Sequence, residues 1–318
     1  MTFAGALTGE RGTACRGRFV GLLSSHWTSQ RCCRKSILSI AMSRLATTAQ
    51  ATLRKQSKSL RAALDAALQK PVPEHVHQLR ISICRIEALL AVIPLLPKAP
   101  AIAAQSKRFL KAAKPIRRFA GKLRDLDVHA THLDKLSKAF DTRALAKALG
   151  RKRDRQAKRL REFLQKRQKK LVTALDELEA ALYPARNLSI TPIEADRLSR
   201  RWFADAAANL SPSKPVELHD LRKAAKLARY IAEAGSRSGG SPTSRRFRRL
   251  QQSIGEWRDW LTFTDFARQY LPASSPVLTS LKQQRDHLRQ DAVAVVSQQV
   301  SVKNRAQESG RGVRNSEH

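Results

Sequence analysis

Leu218-His219-Asp220-Leu221-Arg222-Lys223-Ala224-Ala225-Lys226 is the stretch on which the reading of this chain turns. With His219 at zero on a helix, Arg222 falls at about −60°, Lys226 at about −20° and Arg229 at about −80°. These four side chains make one stripe about 15 Å long. Leu221, Ala225, Ala228 and Ala232 gather on the opposite side as a packing face. Cations at these spacings repel one another by a few tenths of a kcal/mol each, roughly. An anion laid along the stripe turns that repulsion into attraction. Arginine offers a planar fork that suits phosphate, and lysine a point charge. Histidine donates from a ring nitrogen when neutral and adds charge when protonated. For a lone stripe, a solvated basic face is an equally good account.

A repeat argues against that blander account. His77-Gln78-Leu79-Arg80 precedes His219-Asp220-Leu221-Arg222 by 142 residues, each copy following an apolar residue, Val76 or Leu218. Leu123-Arg124-Asp125 returns as Trp257-Arg258-Asp259 after 134 residues. The two signals keep their order, and the difference in offset fits one loop changing length. The chain therefore reads as two related helical halves. The first copy is degraded: Cys84 and Glu87 stand where the second has Lys226 and Arg229, although Arg85 is adjacent. Its apolar face, Leu79, Ile83, Ile86 and Leu90, is intact. The His77 helix should pack well and bind weakly. Arg124 and Arg258 could face the same anion, with Asp125 and Asp259 orienting neighbouring arginines by salt bridges. Glu87 could pair with an arginine across the groove.

The rest of the chain is helix after helix, punctuated by Pro and Gly. Helices are expected at about Leu45–Gln69, Glu74–Ile93, Ala101–Lys114 (broken by Pro115), Lys122–Phe140 and Thr142–Leu182. Others follow at about Pro192–Asn209, Val216–Ala234, Thr243–Tyr270 and Pro276–Val300. No convincing strand appears. The first half spans about 42–150, a long basic helix at 142–182 joins the halves, and the second half spans about 190–302. That connecting helix is most basic at Arg151–Lys170, with eleven Lys or Arg and two acids. Residues 303–318 read as a disordered polar tail.

Charge limits the partners. Sixty-one Lys and Arg against 26 Asp and Glu give a formal +35, which demands a polyanion or counterions. Nucleic acid, an anionic membrane and polyphosphate all qualify. Aromatics are only 5 %, and no nucleic-acid-reading motif is present, which disfavours the first. No apolar run is long enough for a transmembrane helix. The four cysteines, Cys15, Cys32, Cys33 and Cys84, have no metal-site spacing, so a reducing compartment is the default. Residues 1–41 hold a single acid, Glu10, and read as a disordered extension, either transit-like or an upstream start ahead of Met42. His129 and His132 lie near Asp125, Asp127 and Asp134, but a solvated face accounts for them better than a metal site. No Gly-rich phosphate loop or H-E-x-x-H motif points to catalysis.

The duplicated motifs, with Leu123-Arg124-Asp125-Leu126-Asp127-Val128 and the segment Leu250–Asp259, resemble the CHAD family, the conserved-histidine α-helical domain, over about residues 45–300. The resemblance implies an all-α fold of two four-helix bundles related by pseudo-twofold symmetry around a basic groove or pore. It implies binding of inorganic polyphosphate, often on cytoplasmic polyphosphate granules, with no metal or cofactor. Carried over residue by residue, the binding candidates are His77, Arg80, Arg85 and Arg124 in the first half. In the second half they are His219, Arg222, Lys223, Lys226, Arg229 and Arg258. Some members carry a triphosphatase barrel with an E-x-E-x-K signature. Here Glu177 and Glu179 are followed by Ala180-Ala181, so the stand-alone, non-catalytic form is implied. Non-specific nucleic-acid binding is the rival reading, and a metal-dependent phosphohydrolase ranks behind it.

Overall fold

Proline sets the rhythm of the fold. The computed structural model describes residues 47–235 and 240–312, and the extension at 1–41 lies outside them. Eight α-helices follow in order: α1 Ala49–Gln69, α2 Pro73–Val92, α3 Ala103–Leu136, α4 Arg143–Leu182, α5 Pro192–Ala207, α6 Pro215–Ala234, α7 Pro242–Ala267 and α8 Pro276–Gly312. Five of them open on proline, whose fixed φ suits the first turn and whose missing N–H is an orphan there anyway. Side chains complete several of these starts. Thr191 and Glu194 form a capping box on α5, and Ser241 accepts from the Ser244 amide on α7. Gly235 caps the end of α6, and only glycine fits there, because a Cβ would sit 2.4 Å from the Ala195 Cβ. A two-residue bridge, β1 Thr47–Thr48 against β2 Ser189–Ile190, ties the start of α1 to the linker before α5.

Three expectations need correction. Pro115 does not break a helix; it lies inside α3. Phe109, Ala112, Ala113, Ile116, Ala120 and Leu123 keep one buried stripe across it. That packing outweighs the one backbone bond proline removes. Second, α4 is the fourth helix of the first half and not a connector. Leu160, Leu164, Leu171, Leu175, Leu178 and Leu182 run between its cations as an apolar seam into the first core. Third, α8 stays helical to Gly312, past the point where the polar tail was expected to lose structure. Residues 301–312 contain no proline, and Arg305, Ala306, Gln307 and Glu308 favour helix.

The described fold is all-α and has three cores. The first fills α1–α4 and reaches Ile231 of α6. The second joins α5–α8 around Leu221, Leu250, Ile254 and Trp257. The third is shared: Leu133 and Leu136 of α3 and Leu145 of α4 meet Trp260 and Phe263 of α7 and Leu281 of α8. Between the halves, α2 packs on α6 and α3 on α7. Each motif-bearing helix thus lies against its counterpart.

Candidate polyanion-binding site

Each half lays one arginine of its His helix across the next helix. Arg80 reaches from α2 to α3 and donates to the Gly121 carbonyl at 3.4 Å. Arg222 reaches from α6 to α7, where a Cβ on Gly255 would lie 3.1 Å from its Nε. Gly121 and Gly255 sit mid-helix, where glycine costs up to about 1 kcal/mol relative to alanine. At Gly255 close approach accounts for it: a methyl would press on the Arg222 guanidinium. These glycines were missed in the sequence, although the same 134-residue offset that relates Arg124 to Arg258 relates them too.

Electrostatics show which side chains share one environment. Burial pushes the His77 ring below the usual histidine range, and Arg124, Arg80 and Lys226 push it further. Burial lowers His219 in the same way, with Arg258, Lys223 and Arg222 adding to it. Burial raises the Asp125 carboxyl, against the opposing pull of Arg80, Arg222, Arg258 and Arg124. Burial likewise raises Asp259, opposed by Arg222 and helped by Asp125. The side chain of Asp125 is nonetheless 60 % exposed. It is open to water and yet within the field of arginines from all four helices. Four arginines and two histidines, from α2, α3, α6 and α7, therefore share one cationic site with two carboxylates among them.

Within it the partners are uneven. Arg222 Nε and His219 Nδ1 are buried and have no protein hydrogen-bond partner. An unpaired buried donor costs about 1–3 kcal/mol, so an anionic acceptor there is worth correspondingly more. The expected ion pairing is present on one side only and is loose: Arg80 pairs with Asp125 at 3.9 Å, and Asp259 makes no ion pair among the described residues. Lys226 Nζ lies 3.1 Å from Cys84 Sγ, so two positions that the repeat makes equivalent touch each other. Burial lowers the Lys226 ammonium.

The other candidates lie aside. Lys223 is exposed and paired with Asp220, one turn away. Arg85 and Arg229 flank the Tyr230 ring, at 6.0 Å and 4.3 Å from its centroid, and Arg229 also faces Glu233 at 3.7 Å. Glu87 pairs at 2.9 Å with Arg117 of its own half and not across the groove. Tyr230 was not singled out in the sequence, because a buried tyrosine beside basic residues leaves no periodic mark. His129 and His132 belong to the shared core, where burial lowers both to about 4, His132 lying 4.4 Å from Trp260. Asp127 instead holds Arg153 at 2.9 Å.

The sequence profile of the CHAD domain matches residues 51–268, well over half of the chain. The chain belongs to the CHAD family. Among solved structures, it is similar to the CHAD domain from the plant Ricinus communis at 16 % identity and a TM-score of 0.53, covering 77 % of this chain and 86 % of that one. It is also similar to PptA from Streptomyces chartreusis at 18 % identity and a TM-score of 0.52, covering 78 % and 94 %. These likenesses establish the CHAD fold. No curated protein sequence matches the chain. Among the described residues, no helix is long and apolar enough to cross a membrane.

Proposed function

We propose that this CHAD protein binds inorganic polyphosphate, without hydrolysing it, in the groove between α2, α3, α6 and α7, and does so on polyphosphate granules. The observation that carries the reading is the buried, unpartnered Arg222 Nε beside Arg258, Arg124 and Arg80. Phosphate supplies acceptors in the geometry an arginine fork fits. A flexible chain can carry a phosphate to each arginine in turn. Non-catalysis is supported by where the acid–base candidates lie: His129 and His132 pack among aromatic rings, and Asp127 is held by Arg153. Titration with polyphosphate of defined length at several salt concentrations tests the reading. If the four groove arginines each displace a counterion, affinity should fall with a log–log slope of roughly −3. Binding no tighter than to single-stranded nucleic acid of equal charge contradicts it. Phosphate release with Mg²⁺ or Mn²⁺ at enzymatic rates contradicts its non-catalytic part.

One observation favours nucleic acid as a second reading. Arg151, Arg155, Lys158, Arg159, Lys166 and Lys170 are exposed along α4, and none forms an ion pair among the described residues. Competition separates the two. Polyphosphate displaces RNA from a shared groove, but leaves RNA bound on an independent α4 face.

A further inference from the structure

Asp125 and Asp259 stand among the site's arginines, where each would repel a bound polyanion. A positioning role would show as tight pairing, and this molecule has such pairs nearby. Glu87 holds Arg117 at 2.9 Å, and Asp127 holds Arg153 at 2.9 Å. Asp125 stands 3.9 Å from Arg80, beyond hydrogen-bond reach, and Asp259 pairs with nothing among the described residues. Both nevertheless lie within the field of Arg80, Arg124 and Arg222, and Asp259 also feels Asp125. They are close enough to offset the cationic charge and too far to fix the arginines in place.

We propose that Asp125 and Asp259 are built-in counter-anions, which balance the groove arginines when no ligand is bound and yield them to a polyanion with uptake of protons. This rests on the polyphosphate reading above and adds the regulation of that site. The charged groups facing the two carboxylates are Arg80 on α2, Arg124 on α3, Arg222 on α6 and Arg258 on α7, and those arginines in turn face His77 and Cys84 on α2, Arg117 on α3, and His219 and Lys226 on α6. Burial already raises both carboxyls above the ordinary carboxylate range, against the pull of the arginines. A phosphate chain beside them raises them further. The bound state then holds more protons than the free state, and affinity grows as pH falls. His77 and His219, both lowered in the free groove, take up protons by the same linkage, so the carboxylate share must be isolated by mutation.

The test is calorimetric titration of the full chain with inorganic polyphosphate of fixed length, at pH 5.5 and 7.5, in buffers of different ionisation enthalpy. It compares wild type, Asp125→Asn with Asp259→Asn, and His77→Gln with His219→Gln. The double Asn variant should bind about tenfold tighter at pH 7.5 and take up fewer protons at pH 5.5. The double Gln variant should keep the carboxylate share of that uptake. Weaker binding by the Asn variant at wild-type helicity makes the aspartates positioning residues and overturns the inference. So does unchanged affinity with unchanged proton uptake. No binding by any of the three chains overturns the polyphosphate reading, and this inference with it.

Discussion

Arg80 and Arg222 hold the same place in the two halves of the molecule. Arg80 donates to the Gly121 carbonyl and faces Asp125, while Arg222 Nε is buried with no protein partner. The same contrast recurs along the helices. Where the second half has Arg229, the first has Glu87, bound to Arg117. Where the second has Lys226, the first has Cys84, which receives that lysine at 3.1 Å. Where the second has Phe263 and Phe266, the first has His129 and His132, and these pack against the aromatic rings of α7. Duplicated signals thus keep their positions while their partners change. The first half has turned several positions inward, towards protein, and the second has left Arg222 Nε without a protein partner.

The largest effect expected is at Arg222. Arg222→Glu should weaken polyphosphate binding about a thousandfold, or about 4 kcal/mol. Arg80→Glu should cost only about tenfold, because Arg80 already has partners in its own half. Isothermal titration at one fixed salt concentration measures both, and equal losses would break the contrast.

The histidine-for-phenylalanine exchange comes next. His129 and His132 titrate at about 4 in the fold, below the unfolded value of about 6.5. The unfolded chain binds more protons between those values, so stability should be full above pH 6.5 and fall as pH drops towards 4. The loss should be on the order of 3 kcal/mol for each histidine. Urea midpoints across that window measure it, and His132→Phe, which copies the second half, should flatten the curve. A flat wild-type curve would contradict the buried placement.

Copying Lys226 into the first half sharpens the comparison further. Cys84→Lys would restore the stripe on a sequence argument, but its ammonium would meet Lys226 in a buried contact. Stability should fall by about 2 kcal/mol in urea denaturation. A stable, tighter-binding variant would show that the two positions face the ligand independently.

The smallest difference lies in the glycines. Gly255→Ala should displace the Arg222 guanidinium and weaken binding about fivefold, roughly 1 kcal/mol. At Gly121 the nearest Arg80 atom would be an ordinary contact at 3.6 Å, so Gly121→Ala should cost less affinity. It should also raise the melting midpoint through helix propensity.

Much of the fold was legible because helix punctuation is local. Pro73, Pro192, Pro215, Pro242 and Pro276 mark starts by their own chemistry. The packing face of α6 was legible for the same reason: Leu221, Ala225, Ala228 and Ala232 all prove buried. What failed depended on distant neighbours. The cations of α4 hid the leucine seam that makes it part of the first core. Pro115 looked like a break because the stripe that carries α3 past it draws its stability from other helices. In the site, the repeat brought out Arg80, Arg124, Arg222 and Arg258 together with both histidines. It could not show that Arg229 leans on Tyr230, that Lys226 meets Cys84, or that the aspartates stand off from the arginines. Each of those is a contact between helices, which periodicity along one helix does not encode.

Determining the structure with a short linear polyphosphate bound tests the central claim most directly. The account predicts phosphate oxygens within about 3 Å of Arg222 Nε, with the chain running between Arg258 and Arg124. Phosphates ranged along the outer face of α4, with the groove arginines unchanged, would contradict it.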